Sequence, residues 1–187
     1  GDGAEALRLI AALRNSSACR ALSARGRGRL DRLMPLVLGA VAGSENPDLC
    51  LPRVVGLIEA IARRTSYLSL LIEHPMALSQ LVKLMAASPW IARLITRYPL
   101  LMDELLDPRT LYHPATHDQL ECELATRLDS LAADDLEQQM ETLRHFKQVT
   151  ALRVAAADVV GAMPLMVVSD HLTAIGEGVL PQVVRLA

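Results

Sequence analysis

Four X-Pro steps do most to limit what this chain can fold into. His74-Pro75, Ser88-Pro89, Tyr98-Pro99 and Asp107-Pro108 follow one another at short intervals, and each opens an apolar stretch. Proline inside a helix removes a hydrogen bond and clashes with the preceding turn, but in the first turn its missing N–H costs nothing. "SPWIARLITR" is the clearest instance, with Ser88 placed to cap and Pro89 at the first helical position. Helices of about ten residues joined by one or two residues can only fold back on one another as hairpins.

The rest of the chain also reads as helix. Hydrophobic residues make up 51% of it and aromatics 3%, so the core must come from Leu, Val, Ile, Ala and Met. Alanine and straight-chain residues lose least side-chain freedom in a helix. No Asn-Gly or Asp-Gly turn joins alternating apolar runs, as a β-hairpin would require. Helices are expected over 5–14 and 17–24, then from the glycines of "ARGRG" to Ala42. After a loop from Gly43, another begins at Pro52, with Val54, Val55, Leu57, Ile58 and Ile61 three and four apart along one face.

"LYHPATHD" is the main break. Beyond it, Thr116 is placed to cap a helix to 131, and Asp134-Asp135 open the longest helix, running to 162. Acids there favour the helix dipole. Met163-Pro164 should end or kink it, and Ser169 should cap a last helix. The expected fold is all-α, a bundle of short Pro-punctuated helical hairpins with one long central helix. Its 187 residues suit a single helical segment, 1–187, that can be subdivided as 1–112 and 113–187.

No apolar run reaches the roughly 18 residues of a membrane span, and the first ten residues, carrying charge, do not form a signal peptide. Three cysteines at wide spacing (Cys19, Cys50, Cys122) give neither a disulfide framework nor a metal knuckle, so a cytoplasmic setting is expected. Residues 1–99 hold 13 Lys/Arg against 7 Asp/Glu, and residues 100–187 hold 6 against 14. The two halves should attract one another or face different partners. The chain begins Gly-Asp-Gly and runs out within the helical pattern "VVRLA", as a piece of a longer protein would.

The candidate chemistry is thin. Ser169-Asp170-His171-Leu172 has half of a Ser-Asp-x-Asp metal motif, but the second carboxylate position is Leu172. Glu121 and Glu123 are two apart in a helical stretch and point roughly 200° from each other, so they cannot share an ion. His113, His117 and Glu121 have helical spacing, but Pro114 separates the histidines and no H-E-x-x-H is present. Arg20, Arg25, Arg27, Arg29 and Arg32 suggest a phosphate-binding arm, yet no aromatic lies among them to stack bases. No catalytic, cofactor or metal residue emerges. In the longest helix, Arg144, Lys147 and Gln148 share a polar stripe suited to contact with a neighbouring domain. Arg153 falls among apolar residues and is a candidate for a buried ion pair.

The wording at 63–112, "RRTSYLSLLIEHPMALSQLVKLMAASPWIARLITRYPLLMDELLDPRTLY", and at 134–172, "DDLEQQMETLRHFKQVTALRVAAADVVGAMPLMVVSDHL", resembles the glutamate–ammonia-ligase adenylyltransferase family. "RLDRLMPLVLGAV" and "LIEAIARR" fit it as well, so the resemblance covers nearly the whole chain. Such enzymes carry two nucleotidyltransferase domains in tandem, one adding an adenylyl group to glutamine synthetase and one removing it. This chain is similar to the helical region between them. The resemblance implies ATP and magnesium for the parent, and control by the PII signal protein and glutamine. None of the family's catalytic motif falls within these residues. Gly176, Gly178 and Pro181 are a departure, breaking what should be an unbroken last helix. The rival reading is a free-standing helical adaptor whose arginines bind an acidic protein or nucleic acid.

Overall fold

Hydroxyl and carboxylate side chains start most of the helices. In the computed structural model, which describes residues 3–132 and 134–186, Ser16 Oγ accepts from the Cys19 N–H and Ser23 Oγ from that of Gly26. Ser88 Oγ accepts from the Ile91 N–H, and Asp135 Oδ1 from that of Gln138. Thr116 and Gln119 form a reciprocal capping box. The helices are α1 (Gly3–Asn15), α2 (Ser17–Arg20), α3 (Ala24–Ala42), α4 (Pro47–Ile61), α5 (Thr65–Glu73), α6 (Pro75–Ala87) and α7 (Pro89–Arg97). A 3₁₀ segment (Pro99–Leu106) follows, then α8 (Pro108–Leu111), α9 (His117–Asp129), α10 (Leu136–Val159) and α11 (Leu165–Leu186). The described residues contain no strand, and the fold is all-α. Among them no helix is long and apolar enough to cross a membrane.

The four X-Pro prolines each open a helical element, as expected. Elsewhere the boundaries move for identifiable reasons. α4 starts at Pro47, five residues before the expected Pro52, because the Asn46 carbonyl accepts from the N–H groups of Leu49 and Cys50. Pro52 then lies inside the helix, where it has no N–H for the preceding turn. α2 is a single turn ending at Arg20, and α3 begins at Ala24 with its glycines inside it. Gly26 is buried where a Cβ would lie 3.1 Å from Leu22 Cδ2 and 3.5 Å from Thr65 Cγ2, so it permits close approach of α3 and α5. α10 ends in a Schellman turn: Ala162 N–H bonds the Ala157 carbonyl at 2.9 Å, and Gly161 N–H bonds that of Asp158 at 2.9 Å. Gly161 occupies the left-handed conformation, φ 68°, that this turn demands. Ser169 is not a cap. α11 already starts at Leu165 behind Pro164, so Ser169 lies in its second turn, exposed, its carbonyl accepting from Thr173 Oγ1. α11 also runs unbroken through Gly176, Gly178 and Pro181.

Two compact units divide the chain, 1–106 and 107–187. In the first, α4 is the central element, packed against every other α-helix of that unit, while α6 and α7 also pack on the 3₁₀ segment. Leu57, Ile58 and Ile61 of α4 are fully buried, as are Leu33 of α3, Leu84 of α6 and Ile95 of α7. In the second, α8 packs on α10, α9 packs on α10 and α11, and α10 and α11 pack on each other. Leu120, Leu124 and Leu128 of α9 meet Leu143, Phe146 and Val154 of α10 and Ala174 and Ile175 of α11.

Candidate functional site

α10 carries the polar stripe named from sequence on its exposed side. Arg144 Nη1 pairs with Glu141 of the preceding turn, Lys147 is exposed and Gln148 is half-buried. The opposite side buries Leu143, Phe146 and Val149. Arg153 is half-buried rather than buried. It lines a small recess with Thr150, Val154, His171 and Ile175, whose volume of about 10 Å³ is that of roughly one water.

Beside Lys147 lies an apolar opening of the second unit. It is a groove of about 750 Å³, formed by Ala151 of α10 and by Leu172, Gly176, Val179, Leu180 and Val183 of α11. Leu172 is 50% exposed, Leu180 65% and Leu165 78%, and Met166 and Val184 are as open. At 100° per residue, Leu165, Leu172, Gly176, Val179 and Val183 lie along one side of α11, and Asp170, Glu177 and Arg185 lie off it. Ala174 is buried on the opposite side, whereas buried Ile175 and half-buried Val179 and Val183 pack against the core of the unit and line the groove. α11 therefore packs one side into its unit and leaves Leu165, Leu172, Leu180 and Val184 uncovered. Uncovered apolar faces of this kind mark surfaces that meet a partner. The sequence reading missed this face. The signal was available in the charge-free i, i+7 pair Leu165–Leu172.

The remaining candidates do not assemble into a reaction centre. Glu121 and Glu123 are on α9, where Glu123 pairs with Arg127 and Glu121 lies 3.8 Å from His117 Nε2. His117 also stands 3.9 Å from Glu177 of α11. His113 is in the turn after α8, its Nδ1 2.9 Å from the Arg109 carbonyl. The described residues hold no group of three or more His, Cys, Asp or Glu suited to a metal ion. The arginines at 25–32 are not an arm but the opening turns of α3, with Arg27 donating to the Leu22 carbonyl at 3.4 Å.

The thiols differ sharply in access. Cys19 and Cys50 are buried and Cys122 is exposed on α9. Burial pushes the Cys50 thiol above its usual range, and its Sγ–H donates to the Val82 carbonyl at 3.6 Å. Under native conditions one thiol of the three should react rapidly with a soluble aromatic disulfide, and all three after unfolding. A rapid phase of two or three equivalents would contradict this packing. Because folding raises the Cys50 pKa, the native chain keeps that proton where the unfolded chain has lost it. Its contribution to stability is complete below about pH 9 and is lost as the pH rises through the folded value.

These observations define an all-helical module with an uncovered apolar helix face and no clustered ligand set among its described residues. Residues 78–187, more than half of the chain, match the model of the glutamate–ammonia ligase adenylyltransferase family, and the chain belongs to that family. It is 60% identical over 185 residues to the bifunctional glutamine synthetase adenylyltransferase/adenylyl-removing enzyme of Thioalkalivibrio sulfidiphilus, a match covering 99% of this chain and 19% of the relative. The enzyme of the same description from Nitrosococcus oceani is 60% identical over 183 residues, and that from Pseudomonas putida 52% over 184; each match covers 98% of this chain and 19% of the relative. The chain thus spans about a fifth of the length of these relatives.

Proposed function

We propose that this chain is the helical coupling segment of an enzyme that adenylylates and deadenylylates glutamine synthetase. In this reading it lies between two nucleotidyltransferase domains and supplies no catalytic group itself. The observation that carries the proposal is 60% identity over 99% of the chain, set within a bifunctional enzyme about five times longer. In that parent, carboxylates elsewhere hold magnesium and ATP. A glutamine synthetase tyrosine oxygen attacks the α-phosphorus, the bond to the β-phosphate oxygen breaks and pyrophosphate leaves. In the reverse activity orthophosphate attacks the adenylyl group, freeing the tyrosine and forming ADP. The PII protein and glutamine act on the balance of the two in the cytoplasm.

The segment's own part is mechanical, through the uncovered face of α11 and the neighbouring Arg144, Lys147 and Gln148. Its occupant is another part of the same longer polypeptide. α11 has 22 residues and is about 33 Å long, so a face about 10 Å wide offers roughly 350 Å². A stable dimer needs about 800 Å² from each partner. A tethered partner needs far less, because the linker raises its effective concentration.

The test has two arms. The 187-residue chain mixed with glutamine synthetase, ATP and magnesium should transfer no adenylyl group, and labelling would end the non-catalytic reading. In a longer enzyme carrying this segment, Leu172→Asp with Leu180→Asp should lower adenylylation roughly tenfold or more, since each buried leucine contributes about 1.5–3 kcal/mol. Wild-type activity and regulation in that double variant would remove α11 from the coupling surface. Charge reversal of Arg144 and Lys147 tests the polar stripe in the same assay.

A further inference from the structure

A second groove, in the first unit, has the opposite chemistry. It runs between α4 and α7 and has a volume of about 430 Å³. Gly56 and Ala92 line it together with Pro52, Pro89 and the side chains of Arg53, Arg93 and Arg97. No carboxylate lines it. α7, "PWIARLITR", contains no acid at all. Among the described residues neither Arg93 nor Arg97 has an ion-pair partner, although Arg97 stacks 5.4 Å from the Tyr98 ring centroid. Like charges one turn apart on a helix repel, so Arg93 and Arg97 are placed against their own helix's interest.

Arg53 is held differently. Its Nη1 donates to the Met85 carbonyl at 2.6 Å and that of Ala86 at 2.9 Å, at the C-terminal end of α6. This is where a cation meets the negative end of the helix dipole. The anchored guanidinium keeps its Nε and second nitrogen for another acceptor, already positioned. Thr96 is spent, its Oγ1 donating to the Ala92 carbonyl at 2.7 Å. The donors left for a ligand are therefore guanidinium groups, which take carboxylates or phosphates in bidentate pairs.

We propose that the α4–α7 groove is a binding site for an acidic polypeptide segment, read by Arg53, Arg93 and Arg97. The inference stands apart from the coupling role, because it uses other helices and needs no particular parent. The groove is open and floored by small residues, so it accommodates a chain laid along it. A small anion is held instead in a pocket that encloses most of its surface. A single-stranded nucleic acid calls for a succession of stacking aromatics, whereas no aromatic lines the groove, and Trp90, 45% exposed, and half-buried Tyr98 stand only at the two ends of α7.

Trp90 is the sole tryptophan, so its fluorescence reports the site directly. Titrating the 187-residue chain with an octaglutamate peptide at low salt should give a saturable emission change that weakens as salt rises. Arg93→Ala with Arg97→Ala should raise the Kd roughly tenfold or more, as expected for lost charge-assisted contacts. Gly56→Leu should do the same with no change of charge. A Cβ at Gly56 meets nothing within 4 Å, so the variant folds and its side chain fills the groove. Arg25→Ala with Arg32→Ala, exposed on α3, removes equal charge elsewhere and should leave the Kd within about twofold, since long-range terms between exposed charges are screened. Circular dichroism checks that each variant is folded. The proposal is overturned if octaglutamate gives no change, if the α3 control weakens binding as much, or if Gly56→Leu has no effect. Tighter binding of a single-stranded oligonucleotide at the same arginines would overturn it too.

Discussion

Replacing Phe146 by alanine should destabilise the second unit by about 3–5 kcal/mol, the loss usual for a buried phenylalanine. Phe146 is the only phenylalanine in the chain and is 1% exposed. It sits on α10 among Leu120, Leu124, Leu143, Val154 and Ile175, so all three long helices of the unit lose contacts with it. At about 0.05–0.15 kcal/mol per residue, a unit of this size holds only about 4–12 kcal/mol in all. Thermal unfolding followed by circular dichroism should show the α9–α11 helical signal melting at much lower temperature. The guanidinium of Arg127 lies 5.6 Å from the ring centroid, and a partly exposed cation–π contact adds about 0.5–1 kcal/mol. Phe146→Leu keeps most of the volume and should therefore cost far less than the alanine variant. Equal losses in the two variants would mean that ring electrostatics, not volume, dominates.

Ile58→Ala is the corresponding experiment in the first unit, with an expected loss of about 2–5 kcal/mol. Ile58 is 0% exposed on α4, the helix that touches every other α-helix of that unit. A cavity there has few ways to collapse, because its walls belong to several helices rather than one movable neighbour. Ile58→Val, which deletes one methyl group, should cost about 0.5–1.5 kcal/mol. Leu49→Ala on the same helix serves as the reference: Leu49 is 59% exposed, and substitutions at such positions usually stay within about 0.5 kcal/mol. A midpoint for Ile58→Ala as mild as that of Leu49→Ala would show that α4 is not the centre of its unit.

Much of this architecture was legible from residue order alone. X-Pro steps with a preceding Ser or Asp announce helix starts because the chemistry is local: a cap needs only its own next turn. The misplaced boundaries arose where local preference was overridden. Pro52 was read as the opening of α4 after a loop from Gly43, but bonds to the Asn46 carbonyl start the helix at Pro47. Ser169 resembled a cap, but Pro164 and the apolar run behind it begin the helix first. The glycines of α3 marked only where a helix should settle, and the close approach of α5 to Gly26 explains one of them. The uncovered side of α11 was written in its spacing and was overlooked beside the charged stripe of α10. The arginine groove was not readable at all, since Arg53 and Arg93 are distant in sequence and meet only through the packing of α4 on α7.

α11 keeps its helical form through two glycines and a proline. Against alanine, such residues cost about 1 kcal/mol each for glycine and about 3 for proline. Its last three turns therefore have little intrinsic tendency to stay wound, and they present Leu180 and Val184 to water. In a hydrogen-exchange experiment the amides there should fall in the least protected class, opening more often than the unit as a whole. A partner seated on that face should therefore raise the protection of those amides, registering occupancy as order along the backbone and not only as contact. A helix poorly made for standing alone is in this respect well made for reporting company.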